Sequence, residues 1–281
     1  MSARVRGELR GVENTMLMTL YVRAVDAGSR HPVLGDPTAR DVLARIDHDP
    51  WRVRLFRGNL PVLVTRAKVL DDRVQAHLDA HPDTVVAHLA CGLDSRSTRL
   101  RLPAGVTWYD LDRPEVIDLR RRLYPEQEGV HTVAASATDP TWWAGLPDDG
   151  PLLVVAEGLF MYLDRDDLVA TLTPPLTRSG STVLMADTVA AWVRLATTGP
   201  VVSTALGAPF RSTTADVDRV IAAVPRPGRA PVRLVDDVPL AEAARRAARG
   251  LDRWTTGAVS RVPGVGGSMR VRVWEAPARQ P

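Results

Sequence analysis

One cysteine, Cys91, and one lysine, Lys68, stand among the 281 residues of the sequence. A lone thiol excludes an internal disulfide framework and any cysteine-based zinc cluster, so no metal is expected to staple the fold. Long apolar runs are missing as well. None approaches the ~18 to 20 residues of a membrane helix, and the charged stretch from Met1 to Arg10 is not followed by the apolar segment of a secretory leader. The expected location is the cytoplasm, with no membrane as partner. A block of one charge sign is also absent. Although the isoelectric point is near 9.5, the net charge is only +3, and arginines alternate with Asp and Glu along most of the chain. The densest groups, Arg120-Arg121-Arg122 and Arg245-Arg246 with Arg249, fall on predicted helices and read as solvated faces rather than phosphate contacts. That speaks against a nucleic-acid partner.

What is present is enough apolar residue, 45% against 25% charged, to bury one large core. A single unit over residues 1–281 is expected, with a helical cap over 1–82 and a core over 83–281 that carries an irregular insertion at about 198–213. In the first part, Leu17, Leu20, Tyr21, Ala24 and Val25 follow helical spacing. A short helix is predicted from Thr38 to Ile46 and a longer one from Arg66 to Leu78, the latter ending before His81-Pro82.

From residue 84 short apolar runs alternate with helical stretches, the texture of a parallel sheet covered on both faces. The predicted strands are Thr84 to Leu89, Val106 to Leu111, Val130 to Ala134, Leu152 to Ala156 and Thr182 to Ala186. A weaker one, Val232 to Val235, follows. The last, Met269 to Glu275, alternates apolar and Arg residues and reads as an antiparallel edge strand with one wet face, after a turn at Gly264 to Gly267. The fold class is therefore α/β, a doubly wound, mostly parallel, seven-stranded sheet with an antiparallel edge strand and an N-terminal helical cap.

Chemistry gathers at the strand ends. The first strand runs into Leu89-Ala90-Cys91-Gly92-Leu93-Asp94, a turn of small residues that lets a ligand approach the backbone. The second ends at Asp112, twenty residues past Gly92, where a carboxylate can accept both hydroxyls of a nucleoside ribose. Asp110 points to the same side, so one of the two can be structural. No full G-x-G-x-x-G is present, because Ala90 and Leu93 occupy the turn, and this disfavours a dinucleotide pyrophosphate. Glu157 follows the wholly apolar fourth strand. Burying its charge is costly unless a cation meets it, either an ammonium or sulfonium group of a ligand or an arginine of the chain. His88, inside the first strand, reads as a core histidine.

Four blocks in order, Val85 to Arg96, Trp108 to Arg122, Thr138-Asp139-Pro140-Thr141-Trp142, and Ala156-Glu157-Gly158-Leu159-Phe160-Met161-Tyr162-Leu163, resemble the leucine carboxyl methyltransferase family. They are most similar to its bacterial branch of polyketide-associated O-methyltransferases. The resemblance extends from about Leu17 to Asp187. It implies a Rossmann-like class I methyltransferase with S-adenosyl-L-methionine as cofactor. It also implies that Ala90 and Gly92 contact the cofactor, that Asp112 binds its ribose, that Ser136 and Ala137 flank its adenine, and that Glu157 is the acid after the fourth strand. Arg66 matches the family arginine that pairs with the carboxylate of the methionine part. Ala90 departs from the more usual glycine, and Ala137 stands where many relatives carry an acidic or larger residue.

A carboxylic acid, with a pKa of ~4, is ionised at neutral pH and needs no base, whereas a phenol near ~10 would want one. No evident base accompanies the motifs, so a carboxylate of a small natural-product-like molecule is the expected acceptor. A phenolic or alcoholic oxygen, a nicotinamide-dependent oxidoreductase and a non-catalytic binding protein remain as alternatives. Tyr21, Arg23 and Tyr162 are candidate substrate contacts, and Arg23 could grip a carboxylate with two donors. The chain could act as a monomer or a homodimer.

Overall fold

The computed structural model describes residues 13–46, 60–199, 208–247 and 268–279. The Gly264 to Gly267 turn, Arg249 and most of the expected insertion lie outside them. Three helices come first: α1 (Glu13–Ala27), α2 (Pro37–Arg45) and α3 (Leu60–Ala80). Helix α1 buries two faces. Leu20 and Ala24 pack with Ala39, Val42 and Ile46 of the α2 region and with Leu93, Leu119 and Leu123, while Met18 and Val22 pack with Leu63 and Val64. Asp36 starts α2 by accepting the Ala39 amide at 3.0 Å, with Pro37 in the first turn, where its missing N–H is no loss.

Helix α3 was expected within a cap but lies against the sheet. Its Leu70, Val74 and Leu78 are fully buried with Val86, Trp108, Leu153 and Val155. The helical layer that stands off the sheet is thus α1 and α2.

The strands are β1 (Val85–Leu89), β2 (Thr107–Asp112), β3 (Val130–Ala134), β4 (Leu152–Ala156), β5 (Thr182–Val189), β6 (Arg233–Pro239) and β7 (Met269–Ala276), in the spatial order β3-β2-β1-β4-β5-β7-β6. Between them lie α4 (Arg96–Arg99), α5 (Pro114–Leu123), α6 (Pro140–Trp143), α7 (Arg165–Thr177), α8 (Ala191–Ala196), α9 (Thr214–Ala223) and α10 (Leu240–Ala247), with a 3-10 turn at Phe160–Tyr162. Strands β1 to β5 pair in parallel. All five residues of β4 are buried. Leu152 and Val154 face a cluster with Leu168, Leu172 and Ile221, and Leu153 and Val155 face the α3 side. Each such side chain contributes about 1.5–3 kcal/mol on burial, which is why a run without polar alternation becomes the central strand.

The antiparallel strand is present but sits one place in from the edge. β7 pairs antiparallel with both β5 and β6, and β6 is outermost. Both edges of β7 are thus paired, and both faces are packed, Val271 and Val273 on the α3 side and Trp274 and Ala276 on the other. Arg272, expected in water, is 6% exposed, bonded to Asp218 at 2.6 Å with its guanidinium 5.0 Å from the Trp274 ring centroid.

The strand order reverses between β1 and β4, and in open α/β sheets ligands bind beyond the carboxyl ends of the strands at that switch point. Register fixes what gathers there. Leu89 lies level with Leu111 and Ala156, Asp112 with Ala134, and Ala156 with Ala186. The residues after β1, β2, β3 and β4 and the extension of β5 therefore share one rim.

Candidate functional site

At the end of β1 the backbone enters the left-handed region twice, at Ala90 (φ 50°) and Gly92 (φ 52°). Ala90 is the one non-glycine with positive φ among the described residues. A side chain there is strained by roughly 1–2 kcal/mol, and such strain collects at ligand-binding turns. At Gly92 a Cβ would come within 3.2 Å of the Met16 side chain from α1. The Gly92 amide donates to Asp112 Oδ2 at 2.7 Å, and Arg113 N donates to Oδ1 at 2.8 Å. Burial pushes the Asp112 carboxyl above its usual range, and the two amides only partly oppose this. Asp112 is half-buried, and each oxygen retains lone pairs for another donor. Beside it, Ala135 N donates to the Asp112 carbonyl at 3.0 Å, leading into Ser136, which is exposed and bonded to Thr138, and Ala137, which is buried.

Glu157 presents the opposite picture. Its side chain is 5% exposed and both oxygens are engaged. Oε1 accepts from Arg23 Nη2 at 2.9 Å and from Arg66 Nη2 at 2.9 Å, and Oε2 accepts from Arg96 Nη2 at 2.5 Å. Desolvation alone would raise the carboxyl, but Arg66, Arg23 and Arg96 together draw it down to about 2. The cation that the sequence demands for this acid comes from the chain itself. Arg66 also reaches Asp187 at 3.0 Å, and Asp187 accepts the Gly158 amide at 2.6 Å. Gly158 has φ 70°, and a Cβ there would lie 3.5 Å from the Arg66 guanidinium. Burial holds the Asp187 carboxyl above its ordinary range despite Arg66.

Arg23 was expected to take a substrate carboxylate. It instead takes two carboxylates of the chain, Glu157 and Asp94, the latter at 3.1 Å, and is 4% exposed. Asp94 is shared with Arg99 at 2.9 Å and Arg96 at 3.3 Å, and Asp71 binds Arg96 at 2.7 Å and Arg99 at 2.9 Å. Through Asp36, which meets Arg99 at 2.7 Å, the network reaches the start of α2. Helices α1, α2, α3 and α4 are thus tied to the rim by buried ion pairs.

Of the two acids on β2, Asp110 is the structural one. It is 1% exposed and accepts from Trp108 Nε1 at 2.9 Å and Arg120 at 2.6 Å, with His88 Nδ1 at 2.8 Å. Arg120, Trp108 and His88 hold it at about 2 against desolvation. His88 is a core histidine, as expected. Arg120 is a correction, since it is 3% exposed while Arg121 and Arg122 face solvent. Its position relative to Val116 and Leu123 follows helical spacing, a signal the sequence carries.

Tyr162 lies at the rim. Its ring meets Phe210 edge-on at 5.1 Å, and its hydroxyl bonds Thr15 of α1. Phe210 N is held by Thr197 Oγ1 at 3.0 Å and Arg211 N by the Met161 carbonyl at 2.7 Å, so Phe210 and Arg211 lie against the turn after β4. Tyr21 packs half-buried against the Met18, Val22, Leu63 and Val64 cluster, an ordinary packing role.

A seven-stranded sheet of this order, with β7 antiparallel, is the fold of a Rossmann-like class I methyltransferase. Residues 16–174 match the family model of leucine carboxyl methyltransferases. The tetracenomycin polyketide synthesis O-methyltransferase TcmP of Streptomyces glaucescens is 44% identical over 184 residues, covering 66% of this chain and 68% of that protein. An S-adenosyl-L-methionine-dependent methyltransferase of Gibberella zeae, dpfgK, is 38% identical over 179 residues, and the match spans 60% of its length. A crystal structure from Thermobifida fusca, assigned as a methyltransferase, superposes with a TM-score of 0.52 at 16% identity, covering 92% of this chain and 94% of that one, a likeness of fold. The chain belongs to the leucine carboxyl methyltransferase family and is an S-adenosylmethionine-dependent methyltransferase.

The rim fits that cofactor. Asp112 supplies an acid with free lone pairs for a diol, and positive-φ positions at Ala90 and Gly92 bring the backbone close. Arg66 and Glu157, expected at the methionine part, spend their charges on each other and on Asp187, Arg23 and Arg96.

Proposed function

We propose that the protein transfers a methyl group from S-adenosylmethionine to a carboxylate oxygen of a small, polyketide-like molecule. S-adenosylmethionine, when bound, supplies an electrophilic methyl on a sulfonium, so the protein's task is positioning. Asp112 would accept the ribose hydroxyls, Ala90 and Gly92 would admit the nucleoside to the backbone, and Ser136 and Ala137 would border the adenine. Arg66 and Glu157 would border the methionine part, with their charges already paired within the chain.

One observation supports a carboxylate acceptor above others: apart from Asp112, which would take the ribose, the acids and the histidine described near the rim are already committed. His88 is bonded to Asp110, Glu157 to three arginines, and Asp187 to Arg66 and Gly158 N. Burial also raises the Tyr162 hydroxyl. An acceptor that arrives ionised asks nothing of them. The polyketide class draws on the name of the Streptomyces relative. Tyr162 and Phe210 would provide an aromatic wall for it. Among the described residues no helix is long and apolar enough to cross a membrane. The protein would act in the cytoplasm on a small molecule rather than on nucleic acid, as monomer or homodimer.

A hydroxyl acceptor is the second reading. It draws on the name of the Streptomyces relative, an O-methyltransferase whose acceptor oxygen the name does not specify. The test is a panel of aromatic acids and matched phenols with methyl-labelled cofactor, followed by mild alkali. Label released by alkali marks an ester, whereas label that survives marks an ether and overturns the carboxylate assignment.

A further inference from the structure

The carbonyls of Gly92, Leu93 and Asp94 are all gripped by the last turn of α5. Arg120 Nη1 donates to Gly92 O at 3.2 Å and Asp94 O at 2.6 Å, and the Tyr124 hydroxyl donates to Leu93 O at 2.8 Å. The other Arg120 nitrogen, Nη2, bonds Asp110 Oδ2 at 2.6 Å, and the guanidinium lies 4.4 Å from the Tyr124 ring centroid. Because peptide units are planar, holding three successive oxygens fixes the three peptide planes from Gly92 to Ser95, the second half of the turn. Asp110 and Asp112 belong to the same strand, so Arg120 ties the turn after β1 to the strand that carries the ribose acid. The Gly92 amide closes the circuit on Asp112 Oδ2.

We infer that Arg120 and Tyr124 are positioning residues for cofactor binding, setting the distance and orientation between the Ala90 to Asp94 turn and Asp112. Neither needs to touch the cofactor. Both act through backbone carbonyls that a bound nucleoside would find already oriented. The guanidinium is required for its fork, since an ammonium cannot serve Gly92 O, Asp94 O and Asp110 along three fixed directions. Burial raises the Tyr124 hydroxyl, which keeps it a donor. The inference rests on the reading that this turn and Asp112 hold S-adenosylmethionine.

Calorimetry with S-adenosylhomocysteine tests it on the wild type, Arg120→Lys, Tyr124→Phe, Asp112→Ala and the double variant Arg120→Lys/Asp112→Ala. Arg121→Gln, on the solvated side of α5, is the control. Losing part of a charged hydrogen-bond set is expected to weaken binding by about 10-fold or more in Arg120→Lys, and losing a neutral bond by about 5-fold in Tyr124→Phe. The KM for the methyl acceptor should move less than about 2-fold, because the effect falls on the cofactor half of the site. In the double variant the loss should be less than the sum of the two single losses, since both act on one geometry. Tyr124→Phe removes one oxygen and keeps the ring, so it tests the inference even if Arg120→Lys fails to fold. Wild-type affinity in Tyr124→Phe, or fully additive losses in the double variant, would overturn the positioning role. Wild-type affinity in Asp112→Ala would instead remove the site reading beneath it.

Discussion

Asp112 and Glu157 stand at the ends of two strands on the same rim, yet they are in opposite electrostatic states. Asp112 meets only backbone amides, remains half open and is held above the usual carboxyl range. Glu157 is enclosed by Arg23, Arg66 and Arg96 and drawn down to about 2. The contrast separates an acid available to a ligand from an acid that anchors helices. Asp112 can change partners cheaply when a diol arrives. Glu157 cannot lose its partners without leaving buried cations uncompensated.

The largest effect should come from breaking the anchored side. Glu157→Ala strands three arginines and is expected to cost about 3–5 kcal/mol, which for a chain of this size lowers Tm by about 5–8 °C. A melting point within about 2 °C of wild type would show that the arginines relax into solvent, and the contrast would dissolve. Asp112→Asn should do the reverse. Cofactor affinity falls by about 10- to 100-fold, the worth of a charged hydrogen bond, while the melting point changes little. Equal damage to binding and stability would mean that Asp112 is part of the framework.

Acid titration sharpens the comparison further. A depressed carboxyl such as Glu157 contributes stability above its unfolded pKa near 4.5, and that contribution is lost as pH falls towards about 2. A raised carboxyl such as Asp112 has the opposite sign, because the folded state disfavours its charged form and protonation relieves this. Urea midpoints measured across this range should therefore fall less steeply in Glu157→Gln than in wild type. In Asp112→Asn the upper part of the same limb should be steeper than in wild type, because the opposing contribution is gone. The smallest effect is expected for Ala90→Gly. Relief of left-handed strain of roughly 1–2 kcal/mol is offset by about 0.5–1 kcal/mol of added unfolded-state entropy. A destabilisation above about 2 kcal/mol would mean that the Ala90 methyl is packed rather than tolerated.

The five parallel strands were legible because each is a compact apolar run with clear boundaries, and the observed β3 and β4 begin and end at the predicted residues. The place of β7 was not legible. Pairing between segments distant in sequence leaves no local mark, and the Arg alternation that suggested a wet face is answered by Asp218 and Asp237 from elsewhere in the chain. At the site, the acids after β2 and β4 could be located, and the sequence showed that Glu157 requires a cation. Which cation was hidden by distance, since its partners lie on α1, α3 and α4. One pattern would have exposed several partners. Arg23 beside Leu20 and Ala24, Arg66 between Leu63 and Leu70, and Arg120 between Val116 and Leu123 each sit on the apolar stripe of a helix. An arginine in such a position must find buried acceptors.

The insertion of β7 between β5 and β6 also sets an order of events on the ribosome. Strand β5 is made long before its antiparallel neighbour, and β6 has no sheet to join until β7 has been translated. A nascent chain therefore carries an open sheet edge at β5, the kind of surface that recruits foreign strands, until the last strand closes it. Nonsense mutations or proteolytic nicks shortly before Met269 would accordingly leave the nucleoside rim fully encoded, yet produce a polypeptide prone to aggregate.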